Sequence, residues 1–310
     1  MLKENIIVGK DTKYPLNGVL TLPDTTEKVP AVVLVHGSGS SNMDEKVGKL
    51  TPFKDIAEGL AAHGIASIRY DKRSFAHGFK MVKDKNATIT VKEETIDDAI
   101  MATELLKNDS RIDSDRIFIV GHSMGGMLAP RIDIEGGNYR GIIIMAGSPR
   151  RMEEIMVDQL DESMAEMNKL VRMLAKKSIS KIIGKFDGMY DLTDEEAKSI
   201  KVGNGTTLYY FTEMGQPPVS HYLERLNKPM LIMQGEKDFQ VKADKDFAAY
   251  KELLKNRENV TFRLYPNLNH AFVNSVYGSI SKAKKEYNIE QHIGEDVISD
   301  IANWIKSIAE

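Results

Sequence analysis

RIFIVGHSMGG, residues 116–126, decides how this chain is read. An apolar run at 117–120 leads straight into Ser123, with Gly121 and Gly125 on either side. A continuous apolar run suits a strand buried on both faces. A serine between two such glycines, after a strand and before a helix, can sit at a sharp bend that lifts its hydroxyl clear. The competing reading is an ordinary turn serine that caps a helix. Five residues alone do not separate the two. A nucleophile needs a base, a group that orients the base, and donors for an oxyanion. The rest of the chain is where those partners have to be found.

Working outward, strands and helices alternate. Apolar or alternating runs at 6–8, 17–22, 31–35, 65–70, 116–120, 141–146, 228–234 and 259–265 read as strands. Helical patterns fall at 53–63, stopped by Gly64, and at 91–107, 243–254 and 296–308, with another opening after Ser123. This rhythm predicts an α/β fold with a mostly parallel central sheet flanked by helices. About eighty residues between the strand ending near Gly147 and the one starting near Lys228 break it, far more than one crossover needs. Within them Met152, Met156, Leu160, Met164, Met167, Val171 and Leu174 recur at three- and four-residue steps, which predicts one apolar helix stripe. Residues 1–149 and 223–310 are therefore expected to form the core, and 150–222 an inserted, mainly helical cap.

The partners of Ser123 fall at predicted strand ends, where a rigid sheet presents reactive groups. His270, in YPNLNHAF, follows the last strand, and His221 is a second choice of base. Asp238, in QGEKDFQV, is expected to hold one tautomer of His270, with Glu236 the runner-up and Asp244 and Asp246 further alternatives. The Met124 N–H and a second N–H from the HGSG loop at 36–39 are expected to form an oxyanion hole; Ser38 is assigned, with Gly39 the alternative. His122, Gly37, Gly39 and Tyr222 are expected against the substrate. Taken singly, each has an ordinary structural reading; what joins them is one sequential order.

Composition narrows the partners. Of 310 residues 42% are hydrophobic and 28% charged, and 42 basic against 45 acidic residues leave a net charge of -3. Nothing there points to a nucleic acid or a membrane surface. With no cysteine, disulfides, thiolate metal sites and a cysteine nucleophile are excluded. Charges run through the first eighteen residues and no stretch approaches about 18 apolar residues, so a cytoplasmic protein is expected.

These residues resemble the α/β-hydrolase superfamily over nearly the whole chain outside the 150–222 stretch. HGSG at 36–39, RYDKR at 69–73, GHSMGG at 121–126 and GEKDFQV at 235–241 carry the likeness, with His270 downstream. The NGVLTLP hairpin, the Asp44-Glu45 pair and PFKDIAEGLAAHGIASIRYDKR look like bacterial serine carboxylesterases of the dienelactone-hydrolase-like and acylaminoacyl-peptidase-like branch. Dienelactone hydrolases proper use a cysteine nucleophile where this chain has Ser123. Asp71 and Arg73 are read as an ion pair and hydrogen bonds supporting the loops, with a substrate contact open for Arg73. The resemblance implies hydrolysis of a small-molecule carboxylic ester, with no cofactor and no metal; a homodimer stays open. The length of the 150–222 stretch suggests a covered, partly apolar pocket that favours short to medium acyl groups. An aminopeptidase or acyl-peptidase using the same triad is the alternative, with Glu153, Glu154, Asp158 and Glu213 available to bind an amine. A non-catalytic ligand-binding relative is the reading from a different class.

Overall fold

The computed structural model describes residues 1–84, 89–203 and 205–309. The chain opens with β1 (Leu2–Val8), β2 (Leu16–Leu22), β3 (Val29–Val35), α1 (Pro52–Ala62) and β4 (Ala66–Tyr70). α2 (Arg73–Lys83), α3 (Asp97–Lys107), β5 (Ile112–His122), α4 (Met124–Ile132) and β6 (Ile142–Met145) follow. After a long excursion come β9 (Met230–Gly235), α10 (Ala248–Leu253), β10 (Val260–Tyr265), α11 (Ala283–Glu286) and α12 (Glu295–Ala309). One eight-stranded sheet runs β1-β2-β4-β3-β5-β6-β9-β10. Its six strands from β4 to β10 are parallel, and the β1–β2 hairpin is antiparallel at one edge.

Side-chain alternation splits the core between the two faces of this sheet. Ile119, Ile144 and Ile232 pack with Ala99 and Leu106 of α3 and Leu128 and Ile132 of α4. Phe118, Val120, Ile143 and Met233 pack with Phe53 and Leu60 of α1 and Ile301 and Ile305 of α12. Each such side chain, taken fully out of water, contributes about 1.5–3 kcal/mol. That explains why the strands read as unbroken apolar runs. α1 starts on Pro52, and Gly64 beyond its end takes φ +82°, as its stop requires. Among the described residues no helix is long and apolar enough to cross a membrane.

Between β6 and β9 lie α5 (Met152–Glu166), α6 (Lys169–Ile183), α7 (Asp194–Ser199), a small hairpin of β7 (Lys201–Gly203) and β8 (Thr206–Thr207), α8 (Leu208–Gly215) and α9 (Val219–Arg225). They share a cluster of their own, Phe186, Met189, Ala197, Leu208 and Phe211, against which Met152 and Met156 pack. The single methionine stripe is corrected here. Met167 and Asn168 are extended, at ψ 146° and 158°, and the Asn168 side chain caps α6 by accepting the Val171 N–H at 3.0 Å. The periodicity runs across this break, so one stripe becomes two helices. On α6 its last members, Val171 and Leu174, are exposed. α2 is a helix that the sequence reading lacked; Phe75, Phe79 and Val82 face solvent on it, so no core-facing period announces it.

Candidate active site

In a parallel sheet the crevice lies at the carboxyl ends of the strands. Here β3, β5, β9 and β10 each hand over to a loop carrying one of the singled-out residues. β5 lies between β3 and β6, so Ser123 emerges at the middle of the sheet. Ser123 has φ +53° and ψ -118°, a region that a residue with a Cβ enters only under strain. Its N–H donates to Met145 C=O at 2.8 Å and its own C=O accepts from Met127 N–H at 3.0 Å. The glycines make the bend fit. A Cβ on Gly121 would lie 2.3 Å from Gly125 O, and one on Gly125 would lie 2.2 Å from Val35 O. Helix α4 starts at Met124, whose N–H has no partner four residues back within the helix.

His270 is buried on the loop after β10. Its Nδ1–H donates to Asp238 Oδ2 at 2.7 Å, which leaves Nε2 as the acceptor nitrogen. Asp238 is held from all sides. Oδ2 also accepts from Gln234 Nε2 at 2.8 Å, while Oδ1 accepts from Gln240 N–H at 2.7 Å and Val241 N–H at 2.9 Å. The His270 loop is pinned in turn: Asn269 Oδ1 accepts the Ala271 N–H at 3.0 Å and Asn269 Nδ2 donates to Glu286 at 3.0 Å. Glu236 and Asp244 are exposed, and Asp246 is engaged elsewhere, accepting from Ser148 Oγ at 2.6 Å. His221 is exposed on α9. The structure therefore joins His270 to Asp238 and to none of the alternatives.

His122 links the two loops. Its Nε2–H donates to His270 C=O at 2.8 Å, and its Nδ1 lies 3.1 Å from Glu45 Oε2. Burial pushes the Glu45 carboxyl up, but the facing His122, with His36 and the Gly37 N–H, overcomes this and holds it below the usual carboxylate range. Burial pushes His122 down, and Glu45 more than reverses it, so its ring is held above the ordinary histidine value. Both of its nitrogens serve the scaffold. His122 therefore stands here as a link between loops, and a substrate contact from it remains an expectation.

The HGSG loop packs directly on the elbow: a Cβ on Gly37 would stand 3.1 Å from Ser123 Cβ. Gly37 N–H donates to Glu45 Oε1 at 2.7 Å and Gly37 C=O accepts from Lys72 Nζ at 2.9 Å. Its polar atoms are thus used internally, and its part is to let the loop approach. Ser38 and Gly39 are exposed, and Gly39 has φ +83°. His36 is buried with Nε2–H on Asn42 C=O at 2.9 Å, and burial lowers its pKa to about 4. Tyr222 is placed elsewhere. Its ring lies 5.9 Å from the Arg131 guanidinium, in a cavity lined by Met127, Phe211 and Met214 that does not include Ser123, Asp238 or His270. The expected ion pair is also corrected: Arg73 pairs with buried Asp98, while Asp71 accepts the Met43 N–H at 2.8 Å. Strain gathers at this edge, where Glu45, Ser123, Ala146 and Phe272 all have positive φ.

Glu45, Lys72, Glu94 and Tyr210 are functional candidates that sequence reading missed. Two signals were present, the Asp44-Glu45 pair and the lysine inside RYDKR, but both read as family text. A serine beside a histidine whose Nδ1 is fixed by a carboxylate can lose its proton to Nε2 as it attacks. The first amide of a helix beside it can stabilise the charge that results.

Residues 26–275 match the family model described as serine aminopeptidase, S33. Esterase EstD of Thermotoga maritima is 34% identical over 290 residues, 94% of this chain. The chain spans 65% of the length of that relative. An esterase structure from Pyrococcus furiosus matches with a TM-score of 0.59 at 16% identity, covering 100% of this chain and 92% of that one. A dienelactone hydrolase structure from Anabaena variabilis matches with a TM-score of 0.56 at 14% identity, covering 99% and 97%. At these identities the structural likeness speaks to the fold, which is that of the α/β-hydrolases.

Proposed function

Because the chain belongs to the serine aminopeptidase S33 family, we propose that it is a serine hydrolase. It cleaves small carboxylic esters of short to medium acyl length through an acyl-enzyme. Ser123 Oγ attacks the ester carbonyl while His270 Nε2 takes its proton. Asp238 keeps the Nδ1–H tautomer and stabilises the imidazolium. The N–H groups of Met124 and Ser38 receive the oxyanion. His270 returns the proton to the leaving alcohol, then activates the water that releases the acid. No step calls on a metal or organic cofactor. The observation that carries this reading is the 2.7 Å His270–Asp238 contact, on a loop tied to the strained Ser123 elbow by the hydrogen bond from His122 to His270 C=O.

A fluorophosphonate probe and p-nitrophenyl acetate and butyrate test it. The protein is expected to be labelled at Ser123 and to turn over both esters. Ser123→Ala is expected to lose both while melting as the unaltered protein does. Full turnover by Ser123→Ala overturns the proposal. A protein that is never labelled supports the non-catalytic reading instead.

The family description also favours a second reading, release of amino-terminal residues from peptides. Four carboxylates on the segment between β6 and β9 could bind the amine. Glu154 accepts the Arg151 N–H, Asp158 pairs with Arg150 and Lys245, and Glu213 pairs with Arg131. Glu153 accepts the Tyr190 hydroxyl at 2.8 Å and lines a cavity of about 10 Å³, the room of one water. Each has a partner at one oxygen, but Glu153 Oε2 and Glu213 Oε2 are buried without a hydrogen-bond partner among the described residues, so the carboxylates leave an amine site open. Comparing aminoacyl-anilides with aryl esters discriminates: faster anilide cleavage favours the peptidase.

A further inference from the structure

The peptide that carries the second proposed oxyanion donor is held from behind by a buried charge. Lys72 is 2% exposed. Its Nζ donates to Gly37 C=O at 2.9 Å and lies 3.3 Å from Glu94 Oε1. The same Glu94 oxygen accepts the Tyr210 hydroxyl at 2.7 Å, and that hydroxyl lies 3.5 Å from Met124 Sδ. Lys72 and Glu94 belong to the sheet and its crossovers. Tyr210 belongs to α8, in the segment between β6 and β9. A buried ammonium costs several kcal/mol unless well paired. Here it is shared between Glu94 and one carbonyl, and that carbonyl shares a peptide plane with Ser38 N–H. A cation on that oxygen draws electron density along the amide resonance and leaves the N–H more positive. A more positive N–H is a stronger donor to a developing oxyanion. Glu45 holds the preceding N–H, so Gly37 is fixed at both ends.

We propose that Lys72 is a positioning residue for ester cleavage. Its ammonium polarises and orients the Gly37–Ser38 peptide, and Glu94 and Tyr210 tie the segment between β6 and β9 to that same point. The inference rests on the hydrolase reading, in which Ser38 N–H meets the oxyanion. Lys72 itself touches no reacting atom.

The test uses the full chain with Lys72→Met, Lys72→Gln and Tyr210→Phe. Active sites are counted with a fluorophosphonate, and turnover of p-nitrophenyl acetate is expressed per titrated site. Lys72→Met is expected to lower kcat about tenfold to a hundredfold, with KM within about threefold, a fraction of what deleting a whole oxyanion donor costs. Its affinity for an aryl trifluoromethyl ketone, which forms an oxyanion at the serine, is expected to fall in parallel with kcat/KM. Lys72→Gln keeps a donor without the charge and is expected to fall between; should Lys72→Met not fold, this variant decides by the same readouts. Tyr210→Phe leaves Lys72 in place and is expected to lower kcat about two- to fivefold. Lys72 variants with unchanged kcat and ketone affinity per titrated site overturn the inference alone, as does a loss confined to KM or to the number of folded sites. Unchanged kcat in Tyr210→Phe overturns the tie to α8. An unaltered protein that neither titrates nor turns over esters overturns the hydrolase reading, and this inference with it.

Discussion

The carboxyl edge of the sheet and the segment between β6 and β9 are held in opposite ways. At the edge Asp238 takes four hydrogen bonds, His122 bridges two loops and Gly37 is fixed at both ends. On α6 the only buried residue is Ile179, and Leu170, Met173 and Leu174 are 64%, 65% and 70% exposed. Proton transfer needs groups placed to within about half an ångström. Selecting an acyl chain tolerates a looser, methionine-bearing surface that adapts. The contrast teaches that the proposed chemistry sits in the part of the chain with the more constraints.

The largest effect that could break this contrast is expected at Asp238. Asp238→Asn turns an acceptor of His270 Nδ1–H into a group that favours the wrong tautomer. Turnover of p-nitrophenyl acetate is expected to fall about 10⁴-fold; a variant within tenfold of the parent removes Asp238 from its proposed role. Next comes Gly125→Ala, whose Cβ would meet Val35 O at 2.2 Å and His36 O at 2.7 Å, both backbone. Urea unfolding is expected to show a loss of about 2–4 kcal/mol, and an unchanged midpoint shows the elbow to be more yielding than the edge it belongs to.

pH gives a third, comparable handle. His36 has its pKa lowered to about 4 by burial, against 6.5 in the unfolded chain. Between those values the unfolded chain binds a proton that the folded one refuses, so stability falls as pH drops from about 6.5 to about 4. The loss attributable to His36 is up to about 3 kcal/mol. His36→Gln is expected to flatten the fall when urea midpoints are followed across that range; an equally steep profile shows that another group carries it. The smallest effect is expected on α6, where Leu170→Ser and Leu174→Ser should change stability by less than about 0.5 kcal/mol. A loss above about 1 kcal/mol sharpens the contrast differently, by showing that this face is covered in solution.

The sheet was legible because strands buried on both faces have to be apolar throughout, as residues 117–120 and 142–145 are. Ser123 and Asp238 were legible because each follows such a run, and His270 because it follows the alternating run at 259–265. What lay beyond reach was pairing between distant charges. Nothing in the sequence marks Lys72 and Glu94 as buried, since charged side chains seldom are, and nothing local reports that they meet at 3.3 Å. Tyr222, which lines a separate cavity, was set against the substrate for a related reason: a residue's neighbourhood in sequence gives no direction to its side chain. The break at Asn168 did carry a signal, a good helix-capping residue inside the apolar stripe, outweighed by the period running through it.

The order of the strands has a further consequence. Ser123, the Gly37 loop, Asp238 and His270 hang from β3, β5, β9 and β10, four of the five successive strands at one end of the sheet, gathered from most of the chain's length. Bringing them together requires long-range pairing of these strands, and Ser123 with its positive φ stands at the end of one of them. During refolding, helical signal is expected to return before reactivity toward a fluorophosphonate. Under the proposed function, that reactivity would serve as a clock for completion of the sheet.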